Sequence, residues 1–342
     1  MKIRREFGLI ILALCILTGC TDASRSKEIE GAPTEEERLV VYTSHKEEVW
    51  WPIVKEFEER TGIWVDVVTG GSNQLLQQIQ KEGESPQADV MFGGGVESLA
   101  SYGDCFAPYI SSQAEAIGAQ FQDPEGLWTP FSSLPVVLIY NTKLVGEGQV
   151  TRWSDLLSPY FRGKIAFSDP AVSGSGFTSL VTLTSALGGD WEESLRRFAA
   201  NLDGRQLDSS GDVLTSVADG TDWVGITLEE TALKRIAAGD DIAMVYPSDG
   251  TSSVPDGSAL VKGAPHEANA KRFLDFTVSR DVQEFVAEQS YRRPVREDVE
   301  PPKELTEQGE LILVDYDVAW ASQNREHLLM SWAFFLGGEE EP

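Results

Sequence analysis

The sequence predicts an α/β fold of two lobes, in which the chain of the first lobe is interrupted by the second. Three observations predict it. Short β-branched runs alternate with helical patterns from residue 39 onward, as in parallel βαβ units. The alternation starts again near residue 136 and returns to the first set near residue 257. The chain has 342 residues, of which 41% are hydrophobic, which is enough for two cores.

The N-terminus has the pattern of a secretory signal. Three cationic side chains, Lys2, Arg4 and Arg5, precede a run of about ten apolar residues at 8–17. That run is too short to cross a bilayer core, which needs roughly 20 residues. We therefore expect residues 1–19 to be a signal peptide.

Leu17-Thr18-Gly19-Cys20 follows this apolar run and resembles the lipobox of bacterial lipoproteins. The resemblance implies that the thiol of Cys20 is diacylated, which would anchor the mature protein to a membrane. Residues 20–37 are polar and acidic and carry almost no large apolar groups. We expect them to form a disordered tether between the lipid and the folded part.

The first lobe is predicted over residues 38–135 and 257–342. Its first strand is the β-branched run Leu39–Tyr42, and the next helix places Val49, Ile53 and Phe57 on one face. Thr61-Gly62 ends that helix, as glycine does at a C-terminal cap. The remaining predicted elements are strands at 63–68, 88–92 and 258–261 and helices at 73–81, 267–278, 281–288 and 327–336.

The second lobe is predicted over residues 136–256. Val136–Tyr140 is a strongly apolar strand, and further strand and helix patterns follow it. The predicted strands lie at 164–167, 223–227 and 243–246, and the predicted helices at 177–188, 191–201, 213–219 and 232–238.

Charge and cysteine content exclude several classes of protein. The formal net charge of −27 disfavours a nucleic-acid partner, because phosphate backbones require cationic surfaces. Only three cysteines occur, and Cys105 stands alone once Cys15 and Cys20 are assigned to the signal and the lipid. A cysteine-rich metal site is therefore excluded, and we expect neither a cofactor nor a metal site.

The layout resembles the solute-binding proteins of ABC importers, which have a type 2 periplasmic-binding-protein fold with a ligand cleft between two lobes. The resemblance covers roughly residues 39–300. It is carried by Val41-Tyr42-Thr43-Ser44, by Asp89-Val90-Met91-Phe92-Gly93-Gly94 and by Val261-Lys262-Gly263-Ala264-Pro265-His266. These runs are similar to the branch that takes up ferric iron, 2-aminoethylphosphonate or sugar phosphates. The resemblance implies an ABC permease as partner and a monomer at the extracytoplasmic face of the membrane or in the periplasm.

The residues disfavour ferric iron. Ferric-binding members of the branch offer two adjacent tyrosines, whereas the matching stretch here is Thr227-Leu228-Glu229-Glu230, and no Tyr-Tyr pair occurs in the sequence. A phosphate or phosphonate group is favoured instead. Ser173-Gly174-Ser175-Gly176 opens an apolar helix, where unpaired N–H groups and the helix dipole suit an oxyanion.

Further turns of the same kind are predicted at the carboxyl ends of other strands, where ligands bind in open α/β sheets. Ser44-His45 and Gly71-Ser72 turn into helices, and Gly93-Gly94-Gly95 is expected to be a flexible loop rich in free amides. His45, once protonated, would donate to the anion, so that affinity would fall with rising pH. The predicted ligand-binding residues are Ser44, His45, Ser72, Gly94, Ser173, Gly174, Ser175, Gly176, Ser210, Thr227, Glu229 and Asp249.

The rest of the ligand stays open between a sugar and an aminoalkyl group, because carboxylates suit both hydroxyls and an ammonium. The resemblance favours a sugar phosphate slightly, since hexose-phosphate-binding members carry an acidic residue near the start of the helix after this strand, and Glu229 fits that pattern. Binding of ferric iron or a polyamine, and a role as the sensing domain of a signalling system, are the alternatives. No catalytic residue is expected, since the sequence has no Gly-x-Ser-x-Gly, His-Glu-x-x-His or Walker motif.

Overall fold

The computed structural model describes residues 33–306 and 308–337. The predicted signal peptide and Cys20 lie outside these residues. Residues 35–37, which we expected to belong to the disordered tether, form a 3-10 turn instead. The side chain of Asn269 donates to the Glu36 carbonyl at 2.9 Å, which holds this turn against the first lobe. In the described part of the chain, no helix combines the length and the apolar character needed to cross a bilayer.

The described part contains eleven α-helices and eleven strands, together with seven short 3-10 helices. The helices are α1 Glu47–Thr61, α2 Ser72–Glu82, α3 Val96–Ser101, α4 Gly174–Leu187, α5 Trp191–Leu202, α6 Ser210–Ala218, α7 Glu229–Ala237, α8 Glu267–Thr277, α9 Arg280–Ser290, α10 Val318–Gln323 and α11 Arg325–Leu336. The strands are β1 Arg38–Thr43, β2 Trp64–Thr69, β3 Val90–Gly95, β4 Phe106–Ala107, β5 Thr129–Ser133, β6 Val136–Asn141, β7 Ile165–Ala166, β8 Val224–Leu228, β9 Ile242–Val245, β10 Pro255–Val261 and β11 Arg293–Pro294.

The strands form two sheets, one in each lobe. The first has the order β11-β5-β10-β3-β1-β2, with β4 also paired to β10, and β1 is parallel to both β2 and β3. The second has the order β7-β8-β6-β9, in which β6 runs antiparallel to both of its neighbours. The predicted two-lobed α/β fold is thus observed, with parallel βαβ units at the start of the first lobe.

Two segments connect the lobes side by side. The chain leaves the first sheet after β5 and returns to it at β10. The amide of Leu134 donates to Val254 at 3.3 Å, and the amide of Val136 donates to Ser252 at 3.2 Å. This pairing holds the two crossings together as one short connection, which we call the hinge.

We expected residues 257–342 to belong to the first lobe, but the C-terminal part of this segment leaves it. Beside the hinge, the amide of Val314 donates to the Thr251 carbonyl at 2.8 Å. α10 then packs on α3 of the first lobe, and α11 packs on α5 of the second. Leu328 and Trp332 of α11 are buried in the core of the second lobe. The apolar pattern of α11 correctly predicted that the helix is buried. Our assignment of α11 to the first lobe was wrong, because it packs on the second.

Gly93-Gly94-Gly95 differs from its predicted loop structure as well. These residues end β3, where Asp256 of β10 pairs with Gly95. Gly93 and Gly94 have φ angles of 105° and 101°, which only glycine adopts without strain. The run is therefore a constrained strand end at the cleft and not a flexible loop.

Candidate functional site

A cleft of about 220 Å³ lies between the lobes, next to the hinge. Five helices of nine or more residues begin at residues that line it, two from the first lobe and three from the second. They are α1 after Lys46, α2 after Gly71, α4 after Ser173, α6 after Ser209 and α7 after Leu228. The first turn of each helix carries N–H groups that have no acceptor within the helix, and each dipole is positive at this end. The cleft thus collects the ends of helices that attract an anion.

The start of α4 shows how these donors are arranged. Ser173 is the N-cap residue, and its Oγ accepts from the Gly176 amide at 3.1 Å. The amides of Gly174 and Ser175 have no acceptor within the helix, and both residues line the cleft. Gly176 itself does not line the cleft, because it packs on the second lobe: a Cβ there would lie 2.8 Å from the Ser168 carbonyl oxygen.

The lobes touch each other at this end of the cleft. The side-chain amide of Asn73 in α2 donates to the carbonyls of Pro170 and Ala171 in the second lobe, at 3.3 and 2.9 Å. A Cβ on Gly174 would lie 2.5 Å from Ser72 Oγ, so a side chain at this position would require the Ser72 hydroxyl to move. The N-termini of α2 and α4 therefore face each other at short range.

Most of the predicted ligand-binding residues meet at this cleft. Those that line it are Ser44, His45, Ser72, Gly94, Ser173, Gly174, Ser175 and Ser210. Gly176, Thr227, Glu229 and Asp249 do not. Thr227 is 3% exposed within β8, and the carboxylate of Asp249 accepts from the Trp153 amide at 3.0 Å. Asp249 therefore caps a turn of the second lobe.

Glu229 is occupied by an ion pair and is not available to a ligand. Its two oxygens lie 2.7 and 2.8 Å from Nε and Nη2 of Arg293, and it also accepts from the Tyr246 hydroxyl. Burial, with Glu229 nearby, raises the pKa of Tyr246 to about 12, so the phenol stays protonated. The acidic residue that the start of α7 brings to the cleft is therefore Glu230 and not Glu229.

The sequence analysis missed the charged residues on the floor of the cleft. Arg292 Nη1 lies 2.7 Å from Asp256 Oδ2 and 2.8 Å from Ser132 Oγ, and Arg292 Nη2 lies 3.5 Å from Glu230 Oε1. Lys234 Nζ lies 3.2 Å from the other oxygen of Glu230. All four charged groups line the cleft. No local pattern identifies Arg292, because its partners lie 36 and 62 positions away in the chain.

The electrostatics of the two carboxylates differ. Burial opposes the charge of Glu230, but Arg292 and Lys234 outweigh it and hold the pKa of Glu230 below its ordinary value. Burial raises the pKa of Asp256, and the opposing effect of Arg292 is smaller. Lys46, at the start of α1, adds an exposed ammonium group on the other wall of the cleft.

His45 behaves differently from our expectation. Its side chain is 4% exposed, and its ring lies against those of Phe92 and Phe131, with centroids 4.4 and 5.2 Å away. Burial and the nearby charge of Arg292 lower the pKa of His45 well below its ordinary value. The ring is neutral at neutral pH, so the prediction that a protonated His45 makes affinity fall with rising pH is wrong.

The described residues contain no group of three or more histidine, cysteine, aspartate or glutamate side chains placed to hold a metal ion. The free thiol of Cys105 is half-buried and lies outside the cleft lining. The donors that the cleft offers are thus amides, hydroxyls, one imidazole and three cationic side chains.

Comparisons with known proteins agree with this geometry. A family model described as bacterial extracellular solute-binding protein matches residues 85–319. Iron uptake protein A1 of Synechocystis sp. is 26% identical over 320 residues, which cover 88% of this chain and 87% of that protein. A putative 2-aminoethylphosphonate-binding periplasmic protein of Salmonella typhimurium is 27% identical over 256 residues, covering 72% and 74%.

The fold is also that of solved structures. The periplasmic binding protein AfuA from Actinobacillus pleuropneumoniae, with exogenous fructose-6-phosphate bound, matches with a TM-score of 0.82 at 27% identity. The match covers 88% of this chain and 98% of that one. The predicted periplasmic-binding-protein fold is confirmed, as is the predicted branch, whose relatives include iron, phosphonate and sugar-phosphate proteins.

Proposed function

Because the chain belongs to the bacterial extracellular solute-binding protein family, we propose that it captures a phosphorylated or phosphonate solute outside the cytoplasm and delivers it to an ABC permease. The observation that carries the proposal is the convergence of five helix N-termini on one cleft. The amides of Gly174 and Ser175 would hold the oxyanion from the second lobe, and those at Ser72 would hold it from the first.

The charge of the cleft supports an anionic ligand. The whole chain has a formal net charge of −27, yet the cationic residues of the lining, Lys46, Lys234 and Arg292, equal its carboxylates, Asp208, Glu230 and Asp256, in number. The lining is therefore far less negative than the rest of the protein. Because the charged side chains of the lining cancel, the backbone dipoles of the helix N-termini decide whether an anion or a cation binds.

The relatives support the same class of ligand and leave its identity open. One is a putative 2-aminoethylphosphonate-binding protein, and one solved relative holds a sugar phosphate. One relative is an iron uptake protein, which would favour ferric iron. The described part of this chain, however, has no cluster of side chains placed to bind a metal ion. The lipid on Cys20 would hold the receptor at the membrane, close to its permease.

The experiment is a thermal-shift screen of the purified protein against four groups of solute: hexose phosphates, phosphonates, polyamines and Fe(III). A ligand that binds only the folded state raises the melting temperature as its concentration exceeds Kd. We expect stabilisation by a phosphate or phosphonate compound at micromolar concentration. Stabilisation by a polyamine or Fe(III), with no response to any phosphorus compound, would contradict the proposal.

A further inference from the structure

Two buried nitrogen atoms on the floor of the cleft have no hydrogen-bond partner among the described residues. They are Nε of Arg292 and Nε2 of His45, on side chains that are 6% and 4% exposed. A buried polar atom without a partner destabilises the fold, because it has given up its hydrogen bonds to water. Such an atom at the wall of a cleft therefore marks a place for a ligand atom or an ordered water.

The two nitrogen atoms belong to one small patch. Both side chains approach the same oxygen, Oδ2 of Asp256, which lies 2.7 Å from Arg292 Nη1 and 3.7 Å from His45 Nε2. Gly93 has no side chain because the space beside the imidazole is filled: a Cβ there would lie 3.1 Å from His45 Nε2 and 2.7 Å from Ser44 Oγ. The patch thus places two unused nitrogen atoms beside one carboxylate oxygen, on side chains that both line the cleft.

The chemistry of this floor differs from that of the helix N-termini above it. Arg292 Nε carries a hydrogen and only donates, while Nε2 of a neutral imidazole donates or accepts according to its tautomer. The charges of Arg292 and Lys234 are already met by Asp256 and Glu230. A dianionic phosphate would therefore gain little here, and an ammonium group, which only donates, would leave Arg292 Nε unsatisfied. A hydroxyl oxygen can accept from Arg292 Nε, and the same hydroxyl can donate its hydrogen to His45 Nε2.

We infer that Arg292 and His45 form a hydroxyl-recognising subsite, so that the solute is a polyhydroxylated phosphate monoester, a sugar phosphate in class, and not an aminoalkyl phosphonate. The inference rests on the proposed function, which places the phosphate group at the N-termini of α2 and α4. The hydroxyl-bearing part of the solute then points to the floor of the cleft.

Calorimetric titration of the purified protein tests the selectivity first. The probes are glucose 6-phosphate and fructose 6-phosphate, compared with 2-aminoethylphosphonate and inorganic phosphate. At least one hexose phosphate is expected to bind tenfold or more tightly than the other two probes. A 2-aminoethylphosphonate affinity equal to or above that of both hexose phosphates would overturn the inference and leave the proposed function standing.

Two substitutions test the residues. His45→Phe keeps a ring against Phe92 and Phe131 but removes both nitrogen atoms, and Arg292→Lys keeps a positive charge beside Asp256 but removes Nε. Each is expected to lower the affinity for the better hexose phosphate about tenfold and to leave that for inorganic phosphate within twofold. His327→Phe, on an exposed histidine of α11, is the matched control and should change neither.

The outcomes separate the two proposals. Equal losses of hexose phosphate and inorganic phosphate in a folded variant, or no loss at all, would overturn the hydroxyl subsite alone. If His45→Phe does not fold, Arg292→Lys and the selectivity of the unsubstituted protein still test whether the hydroxyl subsite exists. Absence of binding by all four probes would refute the proposed function and the subsite with it.

Discussion

Arg293 of the first lobe and Glu229 of the second form a buried ion pair across the domain boundary. Arg293 Nε lies 2.7 Å from Glu229 Oε2, and their side chains are 3% and 1% exposed. The preceding residue, Arg292, lies 3.5 Å from Glu230. Two consecutive arginines, of which Arg293 begins β11, therefore face two consecutive glutamates at the start of α7, next to the hinge. This contact fixes the relative position of the two lobes at the floor of the cleft.

The first prediction concerns this pair. Glu229→Gln removes the carboxylate that pairs with the buried Arg293, and breaking a buried ion pair in this way typically costs 3–5 kcal/mol. We expect urea denaturation to show a loss in the free energy of unfolding of about 3 kcal/mol or more. The matched control is Glu193→Gln, whose partner Arg196 is 58% exposed, so that about 1 kcal/mol or less is expected. Equal effects of the two substitutions would show that burial of the Glu229 pair does not matter.

The second prediction concerns the N-terminus of α4. Ser175→Asp places a fixed negative charge beside the amides proposed to hold the phosphate group. We expect at least a hundredfold loss of affinity for the bound phosphate compound in calorimetry, with an unchanged circular dichroism spectrum. Ser85→Asp, at an exposed turn outside the cleft lining, adds the same charge and should leave affinity unchanged. Retained affinity in Ser175→Asp would place the anion elsewhere.

The third prediction is a pH dependence of stability caused by His45. Its pKa is lowered in the folded protein, whereas an unfolded histidine titrates near pH 6.5. Below that pH the unfolded chain binds a proton that the folded chain does not, so folding becomes less favourable as pH falls.

The measurement compares the free energy of unfolding of the unsubstituted protein with that of His45→Phe between pH 7.5 and 4.5. The difference should move against the unsubstituted protein by up to about 1.4 kcal/mol per pH unit below pH 6.5. A difference that stays constant over this range would mean that His45 is accessible to protons in the folded state.

The fourth prediction concerns the lipid anchor, which depends on residues before the described part of the chain. Cys20→Ser removes the proposed acylated thiol, so the protein should appear in the soluble fraction of cells after membranes are sedimented. Cys105→Ser, which removes a thiol of the folded body, should leave the protein with the membranes. A Cys20→Ser protein that still sediments with membranes would exclude lipid at Cys20 as the anchor.

The elements of the fold could be predicted from sequence because apolar periodicity is local. The predicted helix at 73–81 differs by one residue at each end from α2, and α1 ends at Thr61 with Gly62 as its C-cap, as predicted. The turn before α4 does contain its N-cap, Ser173. These features depend on residues within a few positions of each other.

Tertiary pairing explains what sequence reasoning missed. A carboxylate at the start of a helix, such as Glu229, gives the same pattern whether it faces a ligand or an arginine 64 positions later. Arg292 was missed for the same reason. The side of the molecule on which α11 packs is likewise a property of the folded chain, because an apolar face predicts burial without naming the neighbour.

The most direct test of the account is a nitrogen–proton correlation spectrum of the protein titrated with a hexose phosphate. The central claim is that backbone amides at facing helix N-termini hold the phosphate group. We predict downfield proton shifts at the amides of Gly174, Ser175 and Ser72, saturating with the calorimetric affinity. Saturable binding that leaves these three amides unshifted would contradict the claim.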